Sequence, residues 1–211
     1  MSIGMIVLII LSLLILFGIL QRVLDRMALT DRQALAIAAA MFVGGWLPEI
    51  DLGLIHLNIG GALIPVTVCV YLLLHAGSMK ERIRALISAG LTAAAITAIS
   101  MLLPADPTQM PMVDPMILYG IAGGLIAWLL GRSRRSAFIA GVLGVIIADI
   151  AAGLFLLMRG INQGVYLGGA GALDAVVLAG VIGVLMCELT GEMMERIHRG
   201  RQSPAEGGNP A

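Results

Sequence analysis

Leu167-Gly168-Gly169-Ala170-Gly171-Ala172-Leu173-Asp174 follows an apolar run that itself holds Asp149. Both aspartates fall inside segments that otherwise read as membrane spans. A carboxylate at the bilayer centre costs about +2.5 to +3.5 kcal/mol on insertion scales, so each needs a partner or a task.

The chain is 59% hydrophobic and only 12% charged, whereas a soluble domain is about one quarter charged. Its apolar runs approach the length that crosses a bilayer. Seven candidate spans follow, at about 3–20, 32–47, 62–76, 84–103, 115–130, 137–158 and 167–190. The first run has no basic residue before it and no small-residue cleavage pattern, so it reads as a retained span. Basic residues set the orientation. Arg22, Arg26 and Arg32 follow span one, Lys80, Arg82 and Arg84 follow span three, and Arg132, Arg134 and Arg135 follow span five. Arg196, Arg199 and Arg201 follow span seven, and Arg159 alone falls on the other side. The expectation is an all-α polytopic transmembrane bundle in the cell inner (cytoplasmic) membrane. Its N-terminus is outside, its C-terminus is cytoplasmic, and residues 1–199 form one domain before a disordered tail at 200–211.

Local signals sharpen the outline. Thr30-Asp31-Arg32-Gln33 is a capping box opening span two. Ser88, Thr92 and Ser100, Gly120-x-x-x-Gly124 and Gly164-x-x-x-Gly168 read as close helix packing. From Pro48 to Ile59 polar and apolar residues roughly alternate, which predicts a short extended cap over 49–60. Glu49, Asp51 and His56 in this cap match no known metal spacing, and ordinary loop polarity accounts for them. No Cys/His cluster has zinc spacing, and Cys69 and Cys187 lie in different runs, so neither a metal nor a disulfide nor any cofactor is expected. With zero formal charge and no basic block, nucleic acid is excluded as a partner. The lipid bilayer is the expected surrounding, and a membrane protein or membrane peptide is the class of partner left open. Ile59-Gly60-Gly61-Ala62 opens span three much as Leu167-Gly168-Gly169-Ala170 opens span seven, a short echo of the kind left by duplication.

Spans six and seven are joined by a short connection, so Asp149 and Asp174 lie at depths of roughly 14 and 12 Å from the same end at 1.5 Å per residue. Small residues flank both, so the two carboxyls are expected to meet, with at least one protonated. Such a pair can act on a peptide bond, bind a proton or cation, or serve as a hydrogen-bonded clasp in a scaffold protein.

Two motifs carry a resemblance. Asn58-Ile59-Gly60-Gly61-Ala62-Leu63-Ile64-Pro65, running into Tyr71-Leu72-Leu73, and Gly168-Gly169-Ala170-Gly171-Ala172-Leu173-Asp174 resemble the signatures of domain-of-unknown-function family 1614. These are uncharacterised prokaryotic membrane proteins, and the likeness covers about Pro48 to Leu189. It makes Asn58, Gly60, Gly61, Pro65, Gly168, Gly169 and Gly171 candidate binding residues. It implies no activity. A fainter likeness is to the intramembrane aspartyl proteases, whose second aspartate follows a Gly-x-Gly directly. Here Ala172 and Leu173 separate Gly171 from Asp174. The protease likeness makes Asp149 and Asp174 a candidate catalytic dyad. Hydrolase, transporter and scaffold remain open.

Overall fold

A computed structural model describes residues 3–102, 114–161, 164–169 and 172–202. The chain is mostly helical. Helices α1 (Ile3–Leu16), α2 (Gln21–Met27) and α3 (Asp31–Gly44) come first. A hairpin of β1 (Ile50–Asp51) and β2 (Ile55–Leu57) follows, then a π-helical turn (Ile59–Leu63) that runs into α4 (Ile64–Leu74). Then come α5 (Met79–Leu102), α6 (Pro115–Gly131), α7 (Arg134–Met158), β3 (Val165–Leu167) and α8 (Ala172–Gln202).

Among the described residues, three helices are long and apolar enough to cross a membrane: α5, α7 and α8 over Leu173–Glu195. The first expected span, 3–20, is instead broken. Gly18 takes a left-handed φ of +71°, and α2 leaves at 100° to α1. Counted as one span, this bent pair makes a fourth. The α3 helix and the apolar stretches Ile59–Leu74 and Pro115–Gly131 are shorter than 18 residues.

Helix ends form where side chains can satisfy the orphan amides. Thr30 and Gln33 make the expected reciprocal capping box of α3. Asp114 accepts from the Met116 amide with Pro115 in the first turn of α6, and Ser133 accepts from Ser136 at α7.

Helices α5 to α8 form the centre of the bundle, with α1 on α8, α3 on α1 and on the π-helical turn, and α4 on α7. Small residues set the spacing, as expected of spans four and five. A Cβ on Gly144 of α7 would stand 2.6 Å from Thr92 of α5, and one on Gly124 of α6 would stand 2.7 Å from Ile182 of α8. Gly164 and Gly168 do otherwise. They flank β3 outside any helix, so they are not a helix-packing pair. Outward faces are apolar, as with Ile6, Ile10 and Leu13 on α1 and Ile83, Leu86 and Ile87 on α5.

The extended cap is present but ends before Ile59, where the π-helical turn already begins, and a third strand from 165–167 joins it. β2 pairs antiparallel with β1 and parallel with β3, so Leu167 belongs to a strand and α8 starts only at Ala172. At the other end α8 continues through Gly200 to Gln202, and residues 203–211 of the expected tail lie outside the described residues.

The bundle therefore has two unlike ends. The strands, the N-terminus of α1 and the C-terminus of α3 gather at one. Arginines from the connections gather at the other. There Arg134 pairs with Glu188, Arg26 reaches Glu195 at 3.3 Å, and Ser133 donates to Glu81 at 3.0 Å. Arg135 and Arg82 donate to the carbonyls of His75 and Leu74 at 2.9 and 3.0 Å, capping the orphan acceptors at the end of α4. Trp128 lies close by, its indole N–H on Thr190.

Candidate site at the glycine crossing and the two aspartates

Parallel pairing of β2 with β3 brings the two glycine segments to one place. Leu57 faces Leu167, and the Asn58 amide donates to the Leu167 carbonyl at 3.0 Å. Directly beyond, the backbone of Gly61 crosses that of Gly168. A Cβ on Gly61 would overlap the Gly168 carbonyl, and Gly168 holds a left-handed φ of +69°. Only glycine permits both. Gly60 meets the end of α3 in the same manner, with a Cβ on Gly44 falling 2.8 Å from the Gly60 nitrogen. Buried Asn58 caps the π-helical turn, its side-chain oxygen accepting from the Gly61 amide at 2.8 Å. Pro65 is buried in the first turn of α4, where a missing N–H costs nothing. The Glu49 carboxylate lies against Gly169. Asn58, Gly60, Gly61, Gly168 and Gly169 thus meet, Pro65 sits just below them, and Gly171 lies outside the described residues.

The sequence echo is therefore a structural one: two parallel strands, each followed by a glycine pair and a descending helix. The strand register pairs residues 110 apart, whereas the Gly-Gly-Ala echo is 108 apart, so the two segments cross instead of superposing.

The aspartates take different partners. Asp174 is buried in the first turn of α8. Its Oδ1 accepts from the Gly4 amide at 3.0 Å and its Oδ2 from the Ile3 amide at 3.2 Å. Those are the leading amides of α1, which have no partner within their own helix. Asp174 thus caps a helix that precedes it by 170 residues, with its carboxyl group at the positive end of the α1 dipole.

Asp149 lies on α7, one turn beyond Val145, which packs near Gly123 of α6. Its Oδ2 is buried and has no hydrogen-bond partner among the described residues. No hydrogen bond joins Asp149 to Asp174 there. Depth is not what separates them. Gly141 packs on Ala179 and Gly180, and Gly183 on Ala137, a register that levels the two aspartates to within about one turn. Face separates them. At 3.6 residues per turn, Asp174 points roughly 120° or more away from the Gly180 and Gly183 stripe that meets α7.

The cap carries no metal constellation. His56 Nδ1 lies 3.8 Å from Asp51 across the hairpin, its ring stacks on Tyr166 at 4.5 Å, and Glu49 turns to Gly169. Among the described residues, no three His, Cys, Asp or Glu side chains gather where they could hold an ion. Cys69 and Cys187 are both buried and free.

The family model "Protein of unknown function (DUF1614)" matches residues 23–186. The chain belongs to this family. No curated protein and no solved structure matches it. In this DUF1614 protein the matched segment contains both glycine segments and both aspartates, while α1, which Asp174 caps, lies before it.

Proposed function

We propose that the protein is a multi-pass protein of the inner (cytoplasmic) membrane, with seven passes, its strand-bearing end outside and its arginine-bearing end in the cytoplasm. Its role in this reading is scaffolding or assembly, with a membrane protein or membrane peptide as partner. The alternation of α1, α4, α6 and α8 with α3, α5 and α7 between the two ends supports the pass count, and the gathered arginines support the orientation.

One observation carries the scaffold reading. Both oxygens of Asp174 are occupied by backbone amides of α1, so this carboxylate acts as a clasp. A dyad hydrolysing peptide bonds would need Asp174 released from α1 and turned toward Asp149. The test is an asymmetry between two substitutions at one position. Asp174→Asn keeps an acceptor and is expected to fold and remain in the membrane. Asp174→Leu leaves the Ile3 and Gly4 amides unpaired and is expected to lose about 1–3 kcal/mol, read as thermal unfolding in detergent. Loss of a measurable intramembrane cleavage in a fully stable Asp174→Asn protein would overturn the scaffold reading in favour of the hydrolase.

A second reading rests on Asp149. A carboxyl oxygen buried in a membrane helix without a partner marks proton or cation transport sites in other proteins. Proton or cation flux into proteoliposomes that vanishes in Asp149→Asn would establish a transporter.

A further inference from the structure

An apolar cavity of about 140 Å³ separates α1, α2 and α3 from α4, α7 and α8. Above it, Leu8, Ala38 and Met41 pack on Leu173 and Val177 and close the end beneath the strands. Below that contact, Leu11 and Ile15 of α1 face Val181 and Leu185 of α8 across the space. Leu185 is 40% exposed, so the cavity reaches the surface along this side. Among the described residues, no charged or amide side chain lines it. A dry apolar cavity near this size takes up benzene in a soluble protein, and an unfilled one forfeits contacts around its whole wall. Open to a bilayer, its natural filling is hydrocarbon chain.

The lower end says which lipid. The α2 helix turns across the mouth after the break at Gly18, with Val23, Leu24 and Met27 buried toward the cavity. Arg22 and Arg26 are on its exposed side, and Arg32 follows at the start of α3. Against Asp25 and Asp31 this leaves one positive charge in excess over residues 21–32, three arginines to two aspartates. Arg26 is held by Glu195 and Asp31 by Gln21, while Arg22 and Arg32 make no ion pair among the described residues. An apolar helix face inward and arginines outward is the pattern of a helix lying at headgroup depth.

We propose that the cavity seats one acyl chain of an anionic phospholipid from the leaflet at the arginine-bearing end, its phosphate held by Arg22 and Arg32. The proposal rests on the membrane placement above and not on the scaffold role. Native mass spectrometry of the full-length protein in detergent, titrated with phosphatidylglycerol or with phosphatidylcholine of identical chains, tests it. The unaltered protein retains one phosphatidylglycerol at about fivefold or greater preference, the effect of one or two arginines on a headgroup of net negative charge against a zwitterionic one whose choline offsets the phosphate. Arg22→Gln brings that preference down toward the phosphatidylcholine level. Val181→Phe fills the cavity and lowers retention of both lipids by roughly tenfold, as does Leu11→Phe from the opposite wall. Equal retention of the two lipids by the unaltered protein overturns the proposal with no variant needed. Undiminished retention in whichever filled variant melts like the parent also overturns it. Release of the protein from membranes by alkaline carbonate would instead fail the membrane placement, a separate result.

Discussion

Asp174 shows how a buried carboxyl group can be accommodated in apolar surroundings without a second side chain. Two backbone amides of α1 satisfy it, and in turn it satisfies them. Shortening the side chain removes both bonds and leaves a void, so Asp174→Ala should cost more than Asp174→Asn in the same melting assay. The presence of two acids at one depth was legible in the sequence. Their faces were not, because a stripe of small residues does not say which neighbour it meets. The partner of Asp174 is the N-terminus of α1, and no local pattern points across 170 residues. Asp149 has no compensating bond at Oδ2. A carboxyl oxygen buried without a hydrogen-bond partner carries a desolvation cost that an apolar side chain of similar volume does not. Asp149→Leu is therefore expected to melt at or above the parent temperature, and a fall of several degrees would show that Asp149 holds a structural bond. At the glycine crossing the expectation runs the other way. Gly61→Ala would drive a methyl into the Gly168 carbonyl and is expected to destabilise by about 3 kcal/mol or more, seen as a lower melting temperature or failure to accumulate in membranes.

Among the elements, the caps and the small-residue faces were readable because each is local. Thr30 and Gln33 are three residues apart, and Thr92 and Gly124 declare helix contact by their size. Gly144→Leu should push α5 off α7 and lower the melting temperature, whereas the same change at Gly90, which has nothing within 4 Å of a Cβ, should leave it within a few degrees. Two elements were not readable. β3 is three residues long between a glycine and a glycine pair, and it exists only because β2 offers a parallel edge. The break after α1 depends on Gly18 adopting a left-handed φ inside a run whose hydrophobicity continues unbroken to Leu20. In both cases hydropathy reports the solvent of a segment and not its backbone path. The cap at 49–60 was legible because alternation encodes the backbone period directly.

At the scale of the molecule, two ends of opposite character organise everything else: strands and glycine crossing at one, arginines tied to helix ends at the other. Placing these ends on opposite sides of a membrane is the central claim, since orientation, pass number and the lipid site all follow from it. The most direct measurement is labelling of single cysteines by a membrane-impermeant maleimide in intact cells, in a background carrying Cys69→Ala and Cys187→Ala. Probes at Leu52→Cys in the hairpin and Ser78→Cys between α4 and α5 sample exposed positions at the two ends. The Leu52→Cys protein is expected to react in intact cells, and the Ser78→Cys protein only after the membrane is permeabilised. Reaction of both in intact cells, or of the Ser78→Cys protein alone, would contradict this placement.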